Sequence, residues 1–286
     1  MANILIAGCG GIGCELGLEL IAQGHTVYGL RRETAELPAG INPIEADLAR
    51  KLDGLPNNLD YIVYSASAGK YSDSAYYQAY VAGVKHLLDA VKDQAIKRLF
   101  FVSSTSVFGQ SEGEVVTEKS PTANATFSSR RLLEGENLIN QCAFNSTVLR
   151  FGGIYGPGRN HLMDLVRQGK AHCMEGVYSN RIHASDCVGM LAHLIHLSEQ
   201  NKPIDTLYIG VDSQPTLSCD VYEWLAEQLS VAEIEHSDPT EHSRLMRSNK
   251  QLSSQKIRNT GYQLKYPSYQ DGYGELILDY LSKDDT

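Results

Sequence analysis

Gly8, Gly10 and Gly13 are spaced as G-x-G-x-x-G directly after the apolar run Ile4-Leu5-Ile6-Ala7. Leu16, Leu20 and Ile21 then recur at helical intervals, so the glycines fall at a strand-to-helix turn. Such a turn can hold a pyrophosphate. The first glycine permits the sharp bend and the second has no Cβ to obstruct the ligand. The third lets the helix pack against the strand while its N-terminal amides and dipole face the phosphates. Gly11 and Ile12 complete the loop and are candidate contacts to the same ligand. A glycine-rich structural turn is the competing reading, and the strand-turn-helix frame favours phosphate binding over it.

A second feature bears on which dinucleotide would bind. An NAD-selective turn usually places Asp or Glu about 20 residues after the glycines begin, to receive the ribose 2′-hydroxyl. Here that stretch reads Val27-Tyr28-Gly29-Leu30-Arg31-Arg32, with no carboxylate. Arg31 and Arg32 can instead pair with a 2′-phosphate through charge-assisted bidentate hydrogen bonds. The expected cofactor is NADP, with NAD the alternative if the two arginines are merely solvated loop charges.

The elements that must position these residues alternate along the first half of the chain. Strand signals at Thr26–Leu30, within Ile41–Leu48, at Leu59–Ala66, Arg98–Ser103 and Thr147–Phe151 are interleaved with helical spacing over Tyr76–Lys92 and Ser128–Cys142. This pattern predicts an α/β protein with a doubly wound parallel sheet of Rossmann type and a smaller C-terminal substrate lobe. The predicted dinucleotide-binding domain comprises residues 1–155 and 181–212, with a helix over Asp186–Leu197 and a strand over Thr206–Val211. The substrate lobe comprises 156–180 and 213–286. Gly152–Arg159 reads as a loop, and beyond a helix at Cys219–Leu229 the chain reads as polar segments and a Tyr-rich tail.

The 286 residues carry 25 Lys and Arg against 34 Asp and Glu, a formal charge of −9, which argues against a nucleic-acid or anionic-membrane surface. No run approaches the roughly 20 apolar residues of a membrane span, and no basic segment with a small-residue cleavage site precedes the first strand. Cys9, Cys14, Cys142, Cys173, Cys187 and Cys219 form no C-x-x-C, so neither a zinc knuckle nor a redox pair is expected. A reduced, cytoplasmic protein is the plainer reading; a small-molecule substrate is expected, with a second copy of the chain, as a homodimer, the candidate protein partner.

Several segments in order now support a resemblance: Ala7 to Gly13, Ala46-Asp47-Leu48, Val102-Ser103-Ser104-Thr105-Ser106-Val107-Phe108-Gly109, Leu149 to Arg159, and Arg181-Ile182-His183-Ala184-Ser185-Asp186. To about residue 212 the chain resembles an atypical extended short-chain dehydrogenase/reductase of the NAD(P)-dependent epimerase/dehydratase family. The resemblance implies that Asp47 contacts the adenine amino group. It also implies that Leu48, Ala66, Ser67, Gly152 and Gly153 lie against the dinucleotide, and that Ser104 polarises the reacting oxygen.

The same resemblance exposes a departure. The family's catalytic Tyr-x-x-x-Lys corresponds here to Phe127-Ser128-Ser129-Arg130-Arg131. Phe127 has no ionisable proton and cannot act as acid or base. Arg131 stays charged and can still bind ribose or phosphate, though it does not substitute freely for lysine. Three readings follow. A reaction persists with the proton moved by Ser104, Tyr155, His161 or water; the chain is a non-catalytic NADP-binding sensor or regulatory protein; or a nearby tyrosine, Tyr71 or Tyr155, takes the role.

Other residues support plainer roles. His193 and His196 lack an H-E-x-x-H context, so no metal is expected. His183 has a structural role in the family segment, and Tyr76, Tyr77 and Tyr80 read as a packing face. No G-x-S-x-G is present, which removes a serine hydrolase. Thr105-Ser106 stands where the family's dehydratases carry an acidic pair, which argues against dehydration, and Ser179 stands where nucleotide-sugar epimerases commonly carry arginine. Arg159 and Arg181 can serve an anionic substrate or simply pair with the acidic surface. The expected activity is an oxidoreductase or epimerase-like reaction on a small hydroxylated or carbonyl compound.

Overall fold

Continuous apolar runs make strands that must be covered on both faces, and the first of them, Asn3–Ala7, buries Ile4, Leu5, Ile6 and Ala7 completely. The computed structural model describes residues 1–231, 234–237 and 249–282. Seven strands form its main sheet: β1 (Asn3–Ala7), β2 (Thr26–Arg31), β3 (Asn42–Glu45), β4 (Tyr61–Tyr64), β5 (Arg98–Ser104), β6 (Ser146–Phe151) and β7 (Leu207–Gly210). Their spatial order is β7-β6-β5-β4-β1-β2-β3, the parallel doubly wound arrangement that the strand-helix alternation predicts. Ile4 is in register with both Val27 and Tyr61, so β1 lies between β2 and β4. The strand order reverses there, where a doubly wound sheet opens a crevice at its carboxyl ends.

The chain packs as two compact units: Met1–Val107, Thr122–Arg150 and Cys187–Tyr208 form one, and Phe108–Pro121, Phe151–Asp186 and Ile209–Thr286 the other. By packing, 108–121 and 181–186 thus belong with the C-terminal stretch. In the first unit, Leu5, Ile62 and Phe101 of the sheet meet Val84, Leu87 and Val91 of the helix Gly83–Val91 in one buried cluster. The helical signal over Tyr76–Lys92 resolves into a helix Asp73–Tyr77, a π-helical segment Gln78–Ala82 and that helix. A π turn shifts the side-chain register by one residue, which spacing alone does not reveal.

In the second unit two expectations are corrected. The glycine-rich run Gly152–Arg159 is not wholly loop, because Gly153–Tyr155 forms a strand pairing in parallel with Arg181–His183. The Tyr-rich tail contains a helix, Tyr269–Ser282, which buries Tyr269, Gly272, Tyr273, Leu276 and Ile277. Those positions follow the i, i+3, i+4, i+7, i+8 pattern of an amphipathic helix. Tyr269, Tyr273, Leu276 and Ile277 join Leu162, Met163, Val166 and Leu225 in the core of this unit. Among the described residues no helix is long and apolar enough to cross a membrane.

Candidate functional site

The glycine turn is built by β1, β2 and the segment after β4. Gly8 has φ +86°, and its amide donates to the Leu30 carbonyl at 2.9 Å, as does that of Cys9 at 3.0 Å. A Cβ on Gly8 would overlap the backbone of Ala66, so glycine is required there on both conformational and steric grounds. Gly10 differs: a Cβ there would meet no atom closer than the Gly8 carbonyl oxygen at 4.0 Å. The space beside it is open, as a pyrophosphate would need. Gly10 caps the 12-residue helix Gly11–Ala22 without a side-chain hydrogen bond, and Gly11, Ile12 and Gly13 form its first turn. Gly13 is buried against Ile6 and the Ser65 hydroxyl. Burial and the adjacent Cys14 thiol push the Cys9 thiol up to about 12, which leaves it protonated under the glycine turn.

Arg31 is the last residue of β2 and directly follows Leu30, whose carbonyl anchors the turn. Its guanidinium lies 3.8 Å from Glu36, and Arg32 is exposed. The Ala46 amide donates to the Arg31 carbonyl, bringing Asp47 to the same sheet end. The Asp47 carboxylate accepts from the Ala49 amide at 3.0 Å. The Leu48 carbonyl lies 2.8 Å from His86 Nδ1, and Ser67 is exposed beyond Ala66. Thus Gly8 to Gly13, Arg31, Asp47 and Ala66 converge at the carboxyl ends of β1, β2 and β4.

Phe127 and Arg131, which the resemblance sets at the family's catalytic positions, lie on the helix Phe127–Asn140. A capping box sets its start: the Thr126 hydroxyl accepts from the Ser129 amide at 3.1 Å and the Ser129 hydroxyl accepts from the Thr126 amide at 3.1 Å. Phe127 is therefore the first helical residue, and Arg131 follows one turn later on the same face. The Phe127 ring packs at 4.8 Å from Tyr71 and edge-on at 5.5 Å from Tyr76. Arg131 is engaged by carboxylates. Its Nε and Nη2 donate to Asp73 at 2.7 and 3.1 Å, its Nη1 donates to Glu134, and its guanidinium lies 5.2 Å from the Tyr77 ring centre. The hydrogen bonds from Arg131 hold the Asp73 carboxyl below its ordinary range.

Ser104 ends β5, and its hydroxyl accepts from the Ser106 amide at 3.2 Å. The preceding residue belongs to a network absent from the sequence reading. The Ser103 hydroxyl donates to Glu136 at 2.6 Å, and Arg150 Nε and Nη2 donate to the same carboxylate at 3.0 and 2.5 Å. Glu136 and Arg150 are 3% and 6% exposed, so this pair fastens the helix Phe127–Asn140 to β5 and β6 with both charges desolvated. An arginine inside the apolar strand S-T-V-L-R-F was the available signal, since a buried guanidinium requires an acidic partner.

The remaining candidates lie in the second unit. Tyr155 is buried, stacked at 4.3 Å on Tyr273, with its hydroxyl donating to the Ser268 carbonyl at 3.4 Å. Burial raises its phenol well above the ordinary range, which suits packing and not proton transfer. His161 is exposed at the first position of the helix His161–Arg167. The Gly152 amide donates to the Gly210 carbonyl and that of Gly153 to Asn180, so both serve the local backbone. His183 packs against Tyr155 and Tyr266, as a structural residue would. Cysteines widely separated in sequence are also brought together: Cys173 and Cys219 form a disulfide across 46 residues, which departs from the expectation that the cysteines are reduced. Tertiary packing makes that pair, so no local spacing could announce it.

This geometry agrees with what the chain resembles as a whole. A parallel doubly wound sheet with a glycine turn at its strand-order reversal defines a dinucleotide-fold protein. More particularly, the chain belongs to the NAD dependent epimerase/dehydratase family, whose model matches residues 4–205. It is 30% identical over 209 residues to Protein YeeZ of Escherichia coli K12, covering 68% of this chain and 73% of that protein. It is 26% identical over 229 residues to dTDP-6-deoxy-L-talose 4-dehydrogenase (NAD(P)(+)) of Kitasatospora kifunensis, covering 74% and 66% of the two. A solved structure from Methylobacillus flagellatus, provisionally assigned as an NAD-dependent epimerase/dehydratase, matches with 34% identity, 98% coverage of both chains and a TM-score of 0.79.

Proposed function

We propose that this protein is an NADP-binding oxidoreductase or epimerase-like enzyme acting on a small hydroxylated or carbonyl substrate, in which residue 127 takes no part in proton transfer. The observation that carries the reading is the open space at Gly10, beside a helix start without a side-chain cap and one strand away from Arg31. Those groups suit a dinucleotide: glycine amides for the pyrophosphate, Arg31 and Arg32 for a 2′-phosphate, and Asp47 for the adenine amino group. NAD remains the alternative ligand. The K. kifunensis relative, named as an NAD(P)(+) 4-dehydrogenase of a nucleotide-linked deoxy sugar, supports a hydroxyl or carbonyl substrate class.

A bound nicotinamide would give or take the hydride. Ser104, at the end of β5, would orient and polarise the reacting oxygen. Phe127 would supply an apolar wall, and the phenol of Tyr71, packed on that ring and 60% exposed, would exchange the proton. One observation favours the non-catalytic reading: Arg131 is engaged by Asp73 and Glu134, which leaves it less able to hold a ribose. The deciding experiment measures NADPH oxidation against a panel of aldehydes, ketones and keto sugars. Turnover that falls in Tyr71→Phe and Ser104→Ala supports the enzyme. Tight NADPH binding without turnover on any class supports the sensor.

A further inference from the structure

The second unit holds a cluster of soft donors separate from the dinucleotide turn. Cys173 lies on the strand His172–Met174, which pairs in parallel with Glu235–Ser237 so that His236 stands directly in register with Cys173. Cys219 lies in the first turn of the helix Ser218–Gln228, and Glu223 lies one turn later on the same helix. Ligand atoms of Cys173, Cys219 and His236 all fall within 4.8 Å of one another, the one such group among the described residues. The cysteines are buried at 0% and 7% exposure, whereas His236 is open to solvent and lines a surface hollow with Glu223, Glu227 and Ile234. An ion therefore has both an inner pair of sulfurs and an outer approach.

We propose that, in the reduced chain, Cys173, Cys219 and His236 form a binding site for a divalent cation of the zinc class. Two thiolates and an imidazole select zinc or cobalt over magnesium or calcium, which prefer oxygen ligands. The surroundings of the imidazole fit this role. His236 Nε2 lies 2.9 Å from Glu223 and Nδ1 lies 3.4 Å from Glu175, so one ring nitrogen can take the metal while a carboxylate orients the other. The fourth position falls to water or a carboxylate. The disulfide and the metal exclude each other, because the S–S bond consumes the two thiolates. A phosphine reductant, oxidised to its oxide with the oxygen of water, gives two thiols, and the cation then displaces both thiol protons.

The test is a Co²⁺ titration of the untagged, phosphine-reduced full chain, followed by Zn²⁺ competition. Expected are one equivalent bound, near-ultraviolet thiolate-to-cobalt absorption, visible bands of a tetrahedral site, and displacement by Zn²⁺. The chain left as the disulfide should show none of these. Cys173→Ser should diminish the thiolate band. His236→Ala, an exposed change that leaves the core packed, should weaken binding and alter the visible bands, and Glu223→Gln should weaken it by about tenfold. A reduced chain without thiolate-to-cobalt absorption, equal binding by the oxidised chain, or an unchanged spectrum and affinity in His236→Ala would overturn the assignment.

Discussion

Arg131 and Asp73 meet fork to fork, Nε to Oδ1 at 2.7 Å and Nη2 to Oδ2 at 3.1 Å, four residues along the helix from Phe127. Where the resemblance sets the family's tyrosine and lysine, Phe127 carries no ionisable proton and Arg131 has an acidic partner. Restoring only the first should achieve little. Phe127→Tyr alone should leave NADPH-dependent carbonyl reduction close to the native rate. Phe127→Tyr with Arg131→Lys should raise it toward the ~100-fold that a positioned general acid supplies, and adding Asp73→Asn should raise it further by releasing the lysine. Initial rates of NADPH oxidation check this, and equal rates for the single and triple variants would show that the ion pair does not restrain the site.

Arg31 and Arg32 carry the expected preference for a 2′-phosphate. Their joint replacement by Ala should weaken NADPH by about 10- to 100-fold, the worth of one or two hydrogen bonds to a charged group, and should leave NADH almost unchanged. Parallel titrations of the two nucleotides read this directly. Equal losses would assign the arginines to general solvation.

The buried Glu136–Arg150 pair should matter to stability more than any surface pair. Glu136→Ala should cost about 3–5 kcal/mol in urea unfolding, because it leaves the Arg150 guanidinium buried without its carboxylate. The double variant Glu136→Leu, Arg150→Met should recover much of that loss, since neither charge remains to be desolvated. A single-variant cost under about 1 kcal/mol would mean that water reaches the pair.

Asp212 sets a pH dependence of opposite sign to most carboxylates. Burial pushes its carboxyl up to about 7, against a downward pull from Arg181. The folded chain therefore binds this proton more tightly than the unfolded chain. Stability contributed by Asp212 is present below about pH 4 and is lost as pH rises toward about 7, by on the order of a few kcal/mol. Asp212→Asn, which keeps an oxygen for the Gln214 amide, should flatten that fall and be the more stable protein at pH 8. A wild-type and variant difference that does not change with pH would contradict it.

Much of the first unit was legible because its signals are local. Ile4 to Ala7 is apolar over a strand length, and the glycines follow at fixed spacing. The capping box that places Phe127 lies within Thr126–Ser129. What could not be read depends on distant segments meeting. Tyr155 reads in sequence as a candidate for proton transfer, but Tyr273, 118 positions later, turns it into core. Cys173 and Cys219 gain their meaning only when a strand and a helix pack together. Gly272 and Gly274, which lower helix propensity, masked the amphipathic stripe of Tyr269–Ser282.

The central claim, that the turn Gly8–Gly13 holds a dinucleotide, is tested most directly by titrating NADPH into the native chain and Gly10→Val by intrinsic fluorescence. The native chain should bind NADPH more tightly than NADH. Gly10→Val should lose both while keeping its far-ultraviolet circular dichroism, because the valine side chain would enter ligand space and not the core. Equal affinity in the folded variant, or no binding of either nucleotide by the native chain, would contradict the account.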